Sequence, residues 1–270
     1  GGAAGGPILL LDGHKGVEEL LASGRVDVLK INVDEAKALT KTATAEDSAK
    51  ALFDGAGPRR LLALTDGLPV SLAVVPKPAV DRLAERLSHH SDITVLQHGF
   101  AHRNHAPAEE KKTEYGRHRL GSEVSVEIMR GKDRLRYLFP KSIRSIFVPP
   151  WNRMDDRHIP LLSAHGFEAL STFGPAKPNI ELQQINTHID IIDWRGTRGF
   201  VGEAVALVIL CDHLSKWRDS EIHTGMAIGL MTHHLNHDKE TWRFLERLIE
   251  VTSHHPACNW IAVELLLEQT

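Results

Sequence analysis

Ile93-Thr94-Val95-Leu96-Gln97-His98-Gly99-Phe100-Ala101-His102 is the stretch on which the fold turns. Its first half, Ile93 to Gln97, is a short run rich in apolar and β-branched residues, as expected of a strand buried on both faces of a parallel sheet. Its second half opens a polar loop, His98 to Pro107, with two imidazoles four residues apart. Functional side chains in parallel α/β folds gather at the carboxyl ends of strands, because the loops converge there. Neutral imidazole nitrogens suit Zn²⁺ and similar divalent ions, commonly with a carboxylate beside them and one position left open. His98 and His102 are therefore candidate metal ligands, although a solvated loop or stacked surface histidines would satisfy the same spacing.

The flanking sequence repeats the strand-then-helix rhythm of a parallel α/β architecture. Toward the amino end, Pro7 to Asp12, Val26 to Val33, Arg60 to Leu64 and Pro69 to Val75 read as strands. His14 to Ser23, Glu35 to Leu39, Thr44 to Phe53 and Ala79 to Leu87 read as helices. Toward the carboxyl end, the helical stretches are Ser122 to Leu138, Ile159 to His165, Glu203 to Ser215 and Asp238 to Ser253, the last with Trp242, Leu245, Leu248 and Ile249 inward. Strands are expected at Ser145 to Val148, Ala169 to Thr172, Gln184 to Asn186, Ile189 to Ile192, Ala227 to Thr232 and Trp260 to Val263.

Bulk composition narrows the function classes. With 270 residues, 42% hydrophobic and 25% charged, the chain is long enough for a sizeable core and too apolar for a disordered protein. A formal charge of −3 gives no basic footprint for a phosphate backbone, so nucleic acid is not an expected partner. No apolar run approaches the roughly 20 residues of a membrane span, so no membrane is expected and the cytoplasm is the default compartment. The chain starts at Gly1, so a removed upstream segment stays open. Cys211 and Cys258 lack C-x-x-C spacing and read as reduced core thiols. Histidine is the outlier, with 17 residues, several bunched at His98/His102/His105 and His233/His234/His237.

Three further motifs sit at expected strand ends. Val148-Pro149-Pro150-Trp151 is a strand running into a rigid double proline, which must be extended because proline bars helix before it. Asp190-Ile191-Ile192-Asp193-Trp194-Arg195 delivers an acid, an aromatic and a base together. Asp193 is suited to orienting a histidine, or to a plain ion pair with Arg195. Leu230-Met231-Thr232-His233 ends a strand in an imidazole, a group whose ordinary pKa near 6.5 suits proton transfer near neutrality.

In this order and spacing the four segments resemble the polysaccharide deacetylase family, the NodB-homology carbohydrate esterases, from about Arg59 to the C-terminus. The resemblance implies a deformed parallel (β/α) barrel that removes an acetyl group from an N- or O-acetylated sugar, a hydrolase acting on a C–N bond other than a peptide bond in the N-acetyl case. It implies His98 and His102 as ligands of a divalent metal, Zn²⁺ first and Co²⁺, Ni²⁺ or Mn²⁺ as variants. His233 would be the catalytic acid, Asp193 its partner, and Trp151, Trp194 and Pro150 would meet the substrate. His105, His234 and His237 have no counterpart, and a carbohydrate is the implied partner. Oligomeric state is not legible.

The chain departs from the family at its front. The family's first strand ends in adjacent aspartates, a catalytic base and a third metal ligand, and no such motif stands in place. Thr65-Asp66-Gly67 abuts the next strand and leaves no room for a parallel crossover of a dozen or more residues. Val148 also replaces the arginine that holds the base. Residues 7 to 66 instead resemble a fragment of a ribokinase-like sugar kinase, most clearly in Asp27-Val-Leu-Lys-Ile-Asn-Val-Asp-Glu-Ala36, without that family's glycine-rich anion hole or catalytic aspartate. The expected organisation is an N-terminal βαβα segment over 1–58, integral to the barrel or a lobe beside it, and a barrel over 59–270. Pro7 to Leu11 or Val26 to Val33 would supply the barrel's first strand, and with it Asp12, or Asp34 with Glu35, as the acid at the metal. Three function classes follow: an active metal-dependent deacetylase, a catalytically silent glycan- or metal-binding relative, or a sugar kinase or other nucleotide binder built on the N-terminal segment.

Overall fold

In a computed structural model the chain is described for the backbone of residues 9–12, 26–31 and 61–64, and for residues 68–88, 90–218, 227–233 and 236–267. The helices expected at His14 to Ser23, Glu35 to Leu39 and Thr44 to Phe53 lie outside them. The chain divides into two compact units. One comprises Gly1–Leu68, Ile192–Glu203 and His233–Trp260; the other comprises Pro69–Ile191, Ala204–Thr232 and Ile261–Thr270.

The second unit is built on a five-stranded sheet in the order β4 (Val70–Val74), β5 (Ile93–His98), β6 (Ile143–Val148), β7 (Ala169–Leu170) and β8 (Gln183–Gln184). Every pairing is parallel. Central strands of such a sheet are covered on both sides, and β5 buries Thr94, Val95, Leu96 and Gln97 in succession. Helix α1 (Asp81–Leu87) joins β4 to β5, and α2 (Gly121–Leu138) lies in the crossover from β5 to β6. The apolar side of α2, Val124, Ile128, Leu135 and Leu138, recurs at helical spacing and is fully or nearly fully buried. Val124 and Ile128 join Tyr115, Phe147, Leu162 of α3 (Ile159–Ala164), Phe167 and Leu170 in one core cluster. A separate parallel pair, β9 (Ile189–Asp190) with β10 (Leu230–Met231), belongs to the same unit, as does α4 (Glu203–Arg218) from Ala204 onward.

The first unit contains a three-stranded parallel sheet, β1 (Leu9–Asp12), β2 (Val26–Ile31) and β3 (Leu61–Leu64). Within this sheet β1 pairs with β2, and β2 with β3. Helix α5 (Lys239–Ser253) opens with a capping box: Asp238 Oδ1 accepts the Thr241 N–H at 2.9 Å, and Thr241 Oγ1 accepts the Asp238 N–H at 3.2 Å. Phe244 of this helix packs on Phe200, ring centroids 5.2 Å apart.

Three expectations are corrected. Trp260 to Val263 is not a strand; Val263–Leu267 is a helix, α6, whose first and last residues meet Leu96, Ile146 and Ala169. On α5 Leu245 is buried and Leu248 and Ile249 are half-buried, as expected, but Trp242 is 39% exposed, with Thr241 and Phe244 turned into the core in its place. Cys211 and Cys258 are free, as expected, but both are exposed. No helix among the described residues is long and apolar enough to cross a membrane.

Candidate metal centre

Strands β5 and β6 end side by side, with His98 in register opposite Val148. The Val148 carbonyl lies 2.9 Å from His98 Nδ1 and also accepts the Gly99 N–H at 3.0 Å. A carbonyl can only accept, so Nδ1 of His98 carries a proton, and in the neutral ring that leaves the lone pair on Nε2, the tautomer a metal ligand needs. The His102 ring lies 5.1 Å from that of His98, tilted by 52°. It also lies 4.5 Å from the ring of Trp151. The segment after β6 therefore comes to the β5 loop, with Pro150 buried beneath it.

The loop achieves this through unusual backbone. Gly99 (φ 57°), His102 (φ 52°), Trp151 (φ 56°) and Asn152 (φ 56°) all occupy the left-handed region, which only glycine enters at no steric cost. At Gly99 nothing larger fits: a Cβ there would stand 2.2 Å from Glu114 Oε2 and 2.7 Å from Pro150 Cδ.

Glu114 was not anticipated from sequence. Its carboxylate, on a residue with 0% exposure, accepts backbone N–H groups from Ala101 (2.7 Å), Phe100 (3.2 Å) and Arg103 (3.5 Å). Burial pushes its carboxyl above the usual range, and those three N–H groups partly offset the shift. The only hint in the sequence is that Glu114 precedes Tyr115, the sole Phe, Tyr or Trp between Phe100 and Tyr137. Tyr115 is fully buried against Phe147, at 5.6 Å between rings, and so fixes the backbone that carries Glu114. Gln97 supports the loop from the other side, its Nε2 donating to the carbonyls of Gly99 (3.1 Å) and Ile128 (3.2 Å).

Asn152 Nδ2 and Thr187 Oγ1 both reach Met231 Sδ, at 3.9 and 3.7 Å, so the ends of β6 and β10 lie together in the second unit. The β9–β10 junction is closed by His188, whose Nδ1 accepts the Gly229 N–H at 3.1 Å while its own N–H donates to Gly229 O at 2.7 Å.

Asp193, Trp194 and His233 are found in the first unit. Trp194, 46% exposed, meets the His233 ring edge to face at 4.7 Å. The Asp193 carboxylate accepts the N–H groups of Gly196 (2.9 Å), Arg195 (3.2 Å) and Thr197 (3.2 Å), which hold it below the usual carboxylate range. Arg195 thus meets Asp193 through its backbone. Of the acids expected at the metal, Asp12 ends β1, where only backbone is described, and Asp34 lies outside the described residues.

Two imidazoles with a defined Nε2 lone pair on one of them fit a divalent ion of the Zn²⁺ type as part of its ligand set. Among the described residues no group of three or more His, Cys, Asp or Glu side chains is placed to hold a metal ion.

No protein-family model matches the chain, and no curated protein does. Solved structures do. A Mycobacterium smegmatis protein assigned as a polysaccharide deacetylase aligns with 97% of this chain and 88% of its own, at 14% identity and a TM-score of 0.55. A polysaccharide deacetylase from Bacillus cereus aligns with 67% of this chain and 52% of its own, at 11% identity and a TM-score of 0.34. A Bacillus anthracis pseudoenzyme of the CE4 family aligns with 90% and 59%, at 13% identity and a TM-score of 0.34, so the chain spans little more than half the length of these last two. The fold assignment rests on the M. smegmatis comparison together with the parallel α/β layout: the chain has the fold of the polysaccharide deacetylases.

Proposed function

We propose that the chain is a metal-dependent hydrolase that removes an acetyl group from an N- or O-acetylated sugar, built on a deformed (β/α) barrel. The observation that carries this reading is the His98–His102 pair, its rings 5.1 Å apart at the mouth of β5, with His98 Nδ1 directed to the Val148 carbonyl. When bound, a divalent ion, Zn²⁺ by donor type, polarises an acyl carbonyl and lowers the pKa of water. His98 and His102 would hold it, with an acid, Asp12 or Asp34, as the third ligand. Trp151 and Pro150 offer flat apolar surface to the acetyl methyl, and Trp194 does the same for a sugar face. His233 holds the proton for the leaving amine, with Asp193 as its charge partner.

A second reading, a glycan- or metal-binding protein without turnover, is favoured by one observation. The Asp193 carboxylate is occupied by three N–H groups of its own loop, so it is less available to charge a histidine.

The test is zinc content of the purified full chain together with acetate release from an N-acetylated oligosaccharide. Zinc that drops in His98→Ala and His102→Ala, with acetate released, is the expected result. Zinc without acetate selects the second reading, and neither zinc nor acetate rejects both.

A further inference from the structure

Three N–H groups of the β5 loop, those of Phe100, Ala101 and Arg103, converge on one point, and the Glu114 carboxylate occupies it. The loop has no regular secondary structure to hold it, and it carries left-handed backbone at Gly99 and His102. Glu114 is delivered with little freedom of its own. Tyr115 is locked in the core, Thr113 Oγ1 donates to Arg153 O at 3.1 Å, and the Glu114 carbonyl accepts from Arg119 at 3.4 Å. Arg119 is in turn paired with Glu127, through contacts of 2.6 and 3.1 Å.

We propose that Glu114 is the positioning residue of the metal loop: its buried carboxylate fixes the Gly99–Arg103 backbone and so sets the separation and tilt of the His98 and His102 rings. The inference rests on the reading of those two histidines as ligands. Glu114 itself touches neither metal nor substrate and acts through the backbone. Truncation to alanine leaves a cavity ringed by N–H donors, which a small free carboxylate can fill. Glutamine keeps the shape but presents an NH₂ group toward donors, so it restores part of the arrangement.

The experiment compares the full-length chain with Glu114→Ala and Glu114→Gln. Zn²⁺ affinity is read by competition with a chromogenic chelator, with and without added formate. Removing a group that orients a ligand typically costs about 10- to 100-fold in metal affinity, and a loss of that size is expected for alanine. A smaller loss is expected for glutamine, and recovery with formate for alanine alone. Wild-type affinity in both variants overturns the proposal. So does a loss that formate leaves untouched and that accompanies a lowered Tm, since that marks a purely structural residue. If the wild-type chain binds no Zn²⁺, the metal reading fails on its own account. The positioning role is then read from the imidazole ¹H–¹⁵N resonances of His98 and His102: displacement in Glu114→Gln supports it, and unmoved resonances overturn it.

Discussion

At Trp151 the backbone sits at φ 56° and ψ 19°, a conformation that brings a Cβ too close to the following carbonyl oxygen. The ring it projects lies 4.5 Å from His102, so the strained residue is one that shapes the candidate site. Strain of this kind persists where the surroundings over-determine it, and it clusters at functional sites. The pair Trp151→Ala and Trp151→Gly separates backbone strain from ring packing. Both variants lose the indole, but alanine keeps the Cβ in the left-handed region and glycine removes it. Glycine is expected to be the more stable of the two by about 1–2 kcal/mol, read from urea denaturation midpoints. Equal midpoints would show that the turn relaxes once the indole is gone. Glu114 is the residue at this scale that the sequence hides. A glutamate in a lysine-rich polar run looks like solvated surface, and only the burial of Tyr115 beside it changes its meaning.

Among the elements, those that hold the site were legible because their signals are long or chemically sharp. β5 and β6 are continuous apolar runs ending in histidine and in Pro149-Pro150, and α2 repeats its apolar positions over 18 residues. α6 was misread because a short apolar run carries too few residues to show a period; its helical nature shows only when Val263 and Leu267 reach the same core cluster. The cysteines were misplaced because thiols are commonly buried, whereas Cys211 falls on a side of α4 where Val208 is also exposed. One tight element contact makes a test. Gly131, inside α2, would ordinarily gain about 1 kcal/mol on replacement by alanine. Here the added Cβ would stand 2.2 Å from Gln97 Nε2, whose hydrogen bonds tie α2 to the loop after β5, and Gln97, at 1% exposure, has no room to swing aside. Gly131→Ala is therefore expected to destabilise by about 1–3 kcal/mol, the range for overpacking a filled core. A Tm at or above that of the parent protein would contradict the close approach of α2 to β5.

Among the described residues, the groups whose titration is shifted differ between the two units. In the second unit, burial holds His105, His158 and His188 below the ordinary histidine value of 6.5, with Arg119 adding to the effect at His105, Arg157 at His158 and His213 at His188. Their neutral forms belong to the fold, as His188 shows by accepting the Gly229 N–H at the β9–β10 junction. The unfolded chain takes up protons near 6.5 while the folded chain does not, so this contribution is present above 6.5 and is lost as pH falls through the lowered folded values. Glu114 works in the opposite sense: with its carboxyl raised from 4.5, its contribution is complete below that value and is lost as pH rises through the folded one. Among the described residues, three imidazoles against one carboxyl predict that the second unit weakens as pH drops below 6.5. Among the described residues of the first unit, the groups held low are carboxylates. Asp193 is held down by the Gly196 and Thr197 N–H groups, and Asp238 by Thr241 against the pull of burial, each from an ordinary 3.8. Their contribution is present above 3.8 and disappears only as pH falls further. Amide exchange followed by mass spectrometry across a pH series, corrected for intrinsic rates, is expected to show β6, β7 and β9 peptides losing protection at a higher pH than α5 peptides. Loss at one common pH, or loss in α5 first, would mean that the buried histidines do not govern the acid response.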